Sequence, residues 1–164
     1  MAIRKILKES DEILRKQSRP VEKFDNRLHM LLDDMVETME EANGVGLAAP
    51  QVGVLRRVVT IDVGQGVIEM VNPEIIYESA EQIEDAEGCL SSPGEYGLVK
   101  RPRKARAKYY DRHGNLCEIE GEGLLARALC HETDHLNGRL FKDLASECWT
   151  PKSIKFEKFS SFYS

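Results

Sequence analysis

The segment HETDH at His131–His135 carries the residue types and spacing that point most directly to chemistry. On a helix, residues i and i+4 lie one above the other, so both imidazoles can reach a single metal ion. Glu132 falls about 100° round the helix from His131, where a carboxylate could take a proton from water bound to that ion. Chance would produce such a segment roughly 0.01 times in a chain of this composition. The bland alternative, two core histidines satisfied by backbone carbonyls, gives the intervening Glu no role.

A hydrolytic metal site of this type needs a third protein ligand. A third His six residues beyond His135 would extend the segment in one well-known way, but position 141 is Phe and no His follows His135. Two candidates remain on the residues alone. One is Glu157, in the weakly patterned segment WTPKSIKFEKFSSFYS. The other is Cys89, in EGCLSSPG ahead of the turn-forming Pro93–Gly94, whose thiolate suits Zn²⁺ or Fe²⁺. A lone Cys is otherwise a small buried hydrophobe. In GVGLAAPQ (Gly44–Gln51), Gly46 leaves room for an extended peptide beside the backbone and Gln51 offers an amide; a tight helix-to-strand loop explains the glycines equally well.

These residues need elements to hold them. Asp25 reads as an N-cap, with Leu28, Leu31, Leu32, Met35 and Met39 at helical spacing and a stop near Asn43–Gly44. Arg57–Val63 is β-branched, Gly64–Gly66 turns, and VIEMVNPEIIYES continues extended. Ala105–Tyr110 and Leu116–Glu120 flank a turn at Gly114 and read as a second antiparallel pair. From Glu122 to Asn137 the period returns to 3.6. Leu124, Ala128, His131 and His135 form one stripe, Leu125, Leu129, Glu132 and Leu136 the next, and Gly138 stops the helix. The expected architecture is α+β, a single domain over residues 1–164 with antiparallel sheets wrapped around a central metal-binding helix, and residues about 149–164 as a C-terminal tail.

The 164 residues carry 23 basic and 28 acidic side chains, a net charge of −5, which excludes a strongly basic DNA or RNA binder. No apolar run approaches the ~18–20 residues that cross a bilayer, and MAIRKILKESDEILRK places charges where a signal peptide has its apolar core. A soluble, cytoplasmic protein with no membrane partner is expected, its four cysteines thiols rather than disulfides. Glu78–Glu95 holds six acids and no base, and Lys100–Lys108 six bases and no acid; both read as solvated strand edges and loops. His29 and His113 are given no role.

HETDHLNG (His131–Gly138), EGCLS (Glu87–Ser91) and GVGLAAPQ (Gly44–Gln51) resemble, in order and spacing, the three signature motifs of the peptide deformylase family, enzymes that remove formyl from nascent bacterial chains. The resemblance implies that Cys89, His131 and His135 hold the metal, and that Glu132 is the general base for attack of metal-bound water. It implies that the Gln51 amide and the Leu90 N–H hold the oxyanion. It further implies an N-formylmethionyl peptide bound as an added strand by Val45, Gly46 and Gly88, with the methionine side chain among Val45, Tyr96, Leu124, Ala128 and His131. Fe²⁺ is the implied metal, with Zn²⁺, Ni²⁺ or Co²⁺ as substitutes. Transient ribosome contact, through the basic run or Lys152, Lys155 and Lys158, is implied as well. Ser92, Cys130 and Arg127 depart from the usual pattern, Arg127 projecting near the pocket helix where the family is often apolar. The rival readings are an endopeptidase using Glu157 and a metal-stabilised binding module; a pure binder needs neither Glu132 nor Gln51.

Overall fold

Residues 2–151 are described by a computed structural model, and the elements form where local chemistry supports them. The Asp25 carboxylate accepts from Leu28 N at 3.2 Å and starts α1 (Asn26–Glu41). Its apolar stripe of Leu28, Leu31, Leu32, Met35 and Met39 is buried against Leu47, Val58, Val71 and Leu90. Asn43 takes the left-handed conformation at φ +55°, and Gly44 N–H closes on Met39 O at 3.0 Å. The helix therefore ends where its sequence placed the stop.

The first sheet has the antiparallel order β1 (Gly46–Ala48), β2 (Val58–Ile61), β3 (Ile68–Glu78), β6 (Lys104–Tyr110), β7 (Leu116–Glu122). The β6–β7 turn is held by Asp111, whose carboxylate accepts from His113 N at 2.9 Å and Asn115 N at 3.0 Å. The second sheet has the order β4 (Gln82–Cys89), β5 (Ser92–Pro102), β8 (Glu147–Trp149), segments in which the sequence reading assigned no strands. The outer half of β4 is exposed and charged on both faces while its inner half is buried, so no single alternation runs along it. Trp149, assigned to the tail by its sequence, pairs with Tyr96 in this sheet. Glu157, Lys152, Lys155 and Lys158 lie outside the described residues.

The helix α2 (Leu124–Leu136) touches β1, β2, β3, β6 and β7 of the first sheet and β5 of the second. Ala126 through Glu132, His135 and Leu136 are all buried. Two sheets closing on one helix is the expected α+β arrangement. Among the described residues no helix is long and apolar enough to cross a membrane.

The end of α2 is fixed by the N-terminal arm. Ser18 N–H donates to Leu136 O at 2.8 Å, and Arg57 adds a bond to the same carbonyl at 3.2 Å. Gly138 sits at φ +72°, where a Cβ would lie 2.4 Å from Arg15 O. Gly138→Ala combines a left-handed penalty with a backbone clash, so it should destabilise the fold by about 2–4 kcal/mol. Urea unfolding of the variant against the parent measures this directly.

Candidate active site

On α2, His131 and His135 turn the same ring nitrogen to the same point: their Nε2 atoms are 3.2 Å apart. Cys89, the last residue of β4, brings Sγ to 3.4 Å from His135 Nε2, and all three donor atoms lie within 4.8 Å of one another. Tetrahedral coordination with bonds of ~2.0–2.1 Å to nitrogen and ~2.3 Å to sulfur spaces its donors by about 3.3–3.6 Å. The donor set therefore fits one divalent ion, and three protein ligands leave a fourth position open. All three residues are buried, and among the described residues they form the one group of three His, Cys, Asp or Glu converging in this way.

The tautomer of His131 is set by Glu87. Its Nδ1–H donates to Glu87 Oε2 at 2.6 Å, which leaves the Nε2 lone pair for a cation. Arg101 grips the same carboxylate in a fork, Nε to Oε1 at 3.1 Å and NH2 to Oε2 at 2.7 Å, and donates NH1 to Asp134 at 2.7 Å. Burial pushes Glu87 up, but His131 and Arg101 outweigh it and hold the carboxyl well below the usual range. Burial pushes His131 down while Glu87 and Glu132 draw it above its ordinary value. Burial together with the facing His131 drives His135 well below its own. Glu132 is fully buried and is pushed up to about 8, chiefly by that burial. A cation held by its neighbours would favour its charged form again.

Gln51 is buried in the turn after β1, its Oε1 accepting from Ala48 N at 2.9 Å. Its Nε2 donates toward Cys89 Sγ at 3.5 Å and Ser91 Oγ at 3.2 Å, so the amide N–H points at the ligand cluster. Leu90 follows Cys89 in the tight β4–β5 turn. Of the substrate residues, Val45, Leu124 and Ala128 share one apolar cluster beside α2. Gly46 lies in β1 and Gly88 in β4, the outermost strands of their sheets. Tyr96 is brought to the other sheet, opposite Gly88 in register and stacked on Trp149 with ring centroids 6.4 Å apart.

Two expectations are corrected. Arg127 does not stand as a free projection near α2; it is buried against the second sheet, donating to Glu87, Val99 O and Ile83 O. The acid and base runs are not solvated throughout, because Glu87 is 0% and Arg101 4% exposed, paired to each other inside the protein. Elsewhere in the base run, exposed Arg103, half-buried Arg106 and exposed Lys108 are paired with Glu81, Glu120 and Glu74. The sequence reading missed Glu87, Arg101 and Asp134 as parts of the site. A signal existed for Glu87, since a metal-binding His commonly donates its second N–H to a carboxylate and Glu87 stands two residues before Cys89.

A family model described as polypeptide deformylase matches residues 3–149. The chain belongs to that family. A peptide deformylase of Alkaliphilus metalliredigens (strain QYMF) is 61% identical over 143 residues, covering 87% of this chain and 97% of that protein. One from Thermoanaerobacter pseudethanolicus (strain ATCC 33223 / 39E) is 59% identical over 145 residues, 88% of this chain and 91% of that protein. The crystal structure of peptide deformylase from Thermotoga maritima superposes with a TM-score of 0.87 at 42% identity, covering 88% of this chain and 99% of that one. A second, from Legionella pneumophila, gives 0.85 at 52% identity, covering 88% of this chain and 86% of that one. Membership in the deformylase family makes the chain a hydrolase that removes an N-terminal formyl group.

Glu87 joins the site to the fold, and this sets an expectation for stability. Glu87→Ala strands two buried guanidiniums without their shared carboxylate and should cost about 3–5 kcal/mol. Glu87→Gln keeps an acceptor oxygen and the shape, so it should cost less; urea unfolding of both variants checks the order.

Proposed function

We propose that residues 1–164 act as one catalytic domain with a C-terminal tail, hydrolysing the formyl group of N-formylmethionyl nascent peptides in the cytoplasm and releasing formate. Cys89, His131 and His135 would hold Fe²⁺, for which Zn²⁺, Ni²⁺ or Co²⁺ can substitute in the same donor set. The observation that carries this reading is the convergence of one Sγ and two Nε2 atoms beside a buried Glu132. When bound, such an ion supplies a Lewis acid with an exchangeable position.

The chain's own residues supply the rest. Glu132, buried and adjacent to His131 on α2, takes a proton from the attacking water and delivers it to the departing amine. The Gln51 Nε2–H, held in place through Oε1, and the Leu90 N–H donate to the oxyanion, a single such donor contributing ~3–4 kcal/mol. Val45, Gly46 and Gly88 bond the peptide main chain. Support comes from β1 and β4 being edge strands, so an extended peptide can lie along them with its hydrogen bonds satisfied. Val45, Leu124 and Ala128 offer the apolar wall for the methionine side chain, and Tyr96 backs the strand carrying Gly88.

Formate release from a formyl-Met peptide, after anaerobic reconstitution with Fe²⁺, tests the reading. The acetyl analogue should be turned over poorly, because its methyl would occupy the space beside the reacting carbon that the formyl hydrogen leaves free; comparable rates on the two would sink the proposal. Glu132→Ala should keep its metal and lose several orders of magnitude in kcat, since both proton transfers pass through that carboxyl. Metal analysis and single-turnover rates on the same sample check this, and a near-normal kcat with metal bound would exclude Glu132 as the base.

A further inference from the structure

The carboxylate that orients His131 is held from two directions. Arg101 approaches from β5 and takes both oxygens, Oε1 at 3.1 Å and Oε2 at 2.7 Å. Arg127 approaches from α2, one turn before His131, and adds a third guanidinium bond, NH1 to Oε1 at 2.9 Å. The same guanidinium donates to Val99 O on β5 at 2.9 Å and to Ile83 O on β4 at 2.8 Å. Arg127 is 5% exposed and Glu87 0%, so water does not compete for these bonds.

Arg101 divides its guanidinium between Glu87 and the side chain of Asp134, the latter at 2.7 Å. Arg127 is anchored instead to the main chain of both strands, whose carbonyls are fixed by the sheet. Its bond occupies Oε1 and leaves Oε2 directed at His131 Nδ1, 2.6 Å away. Charge points the same way: Arg101 and Arg127 together balance Glu87 and Asp134, so the carboxylate is neutralised within its own cluster.

We propose that Arg127 is a positioning residue for His131: by locking Glu87 it keeps the His131 proton on Nδ1 and turns Nε2 toward Cys89 and His135. The inference rests on the ligand assignment made above. It separates Arg127 from a simple clamp between α2 and the second sheet, because a clamp needs only the bonds to Val99 and Ile83 and has no need of Glu87.

The test measures Co²⁺ affinity by chelator competition, and the visible Co²⁺ absorption, in the full chain. Arg127→Leu and Arg127→Lys are made in the parent and in a Glu87→Gln background, with urea unfolding on each. Arg127→Leu should weaken Co²⁺ binding about 10–100-fold and move the absorption band, the usual effect of removing an outer-shell partner. Arg127→Lys, which keeps the charge but not the three-way grip, should lie between, and it carries the comparison if the Leu variant does not fold. In Glu87→Gln the further loss from either Arg127 change should shrink to about twofold or less, the range of independent sites. An unchanged affinity and band in folded Arg127→Leu, or an equal loss in both backgrounds, would overturn the proposal in favour of a clamp. His131→Ala serves as the control: parent-like Co²⁺ affinity there would overturn the ligand assignment and this inference with it, whereas a loss there beside an unaffected Arg127→Leu would overturn the inference alone.

Discussion

Removing a carboxylate and two guanidiniums from water costs several kcal/mol for each ion, and the attraction between them offsets this only when every partner is in place. Glu87, Arg101 and Arg127 meet that condition between the second sheet and α2, with Asp134 and His131 completing the set. The demand is geometric. The β4–β5 hairpin must seat on α2 in one register, because a shift of one residue would send Glu87 to the opposite face of its strand. The same seating delivers Cys89, two residues along β4, to the two imidazoles of α2. A stability constraint on the fold is thereby also the constraint that assembles the donor set.

Two carboxyls at the site are driven apart by their surroundings. Glu87 faces His131, Arg101 and Arg127 and is held well below the usual carboxylate range, whereas burial pushes Glu132 up to about 8. Environment divides one residue type between a fixed anion that orients His131 and a carboxyl able to carry a proton. The two imidazoles divide in the same manner. One bonds to Glu87 and is drawn up; the other, buried beside its neighbour and Cys89, is pushed down chiefly by that burial. Rings whose nitrogens stand 3.2 Å apart cannot both hold a proton at Nε2, which makes the point between them a place for a single cation.

The two sheets each end at this site on an outermost strand, β1 and β4. Exposed strand edges invite pairing, and natural sheets keep them short or shield them. β1 spans three residues, and the exposed half of β4 carries Glu84 and Asp85, which blunts it against self-association. The inner half of β4, with Gly88, is buried instead, and it is this part of the edge that the proposed peptide binding would use.

Much of this was legible before any coordinates. HETDH required a helix to align its histidines, the 3.6 period from Leu124 to Leu136 supplied one, and Gly138 marked its end. Asp25 and the Leu and Met stripe of α1, and the paired strands around Gly114, were local patterns that tertiary contacts had no reason to override. The second sheet was hidden because its strands bury charged residues, and a hydrophobic pattern cannot register a Glu or Arg that is buried by virtue of its partner. Glu87 and Arg101 are separated by 14 residues and Glu87 and Arg127 by 40, so nothing in either neighbourhood announces the pairing. The partners of Arg127 were hidden for the same reason: its position on α2 follows from the helical period, but which wall it meets is decided by where the β4–β5 hairpin lies. Residue types and short spacings determined the chemistry available to this chain; only the folded arrangement, by desolvating charges against one another, decided which of them would be joined.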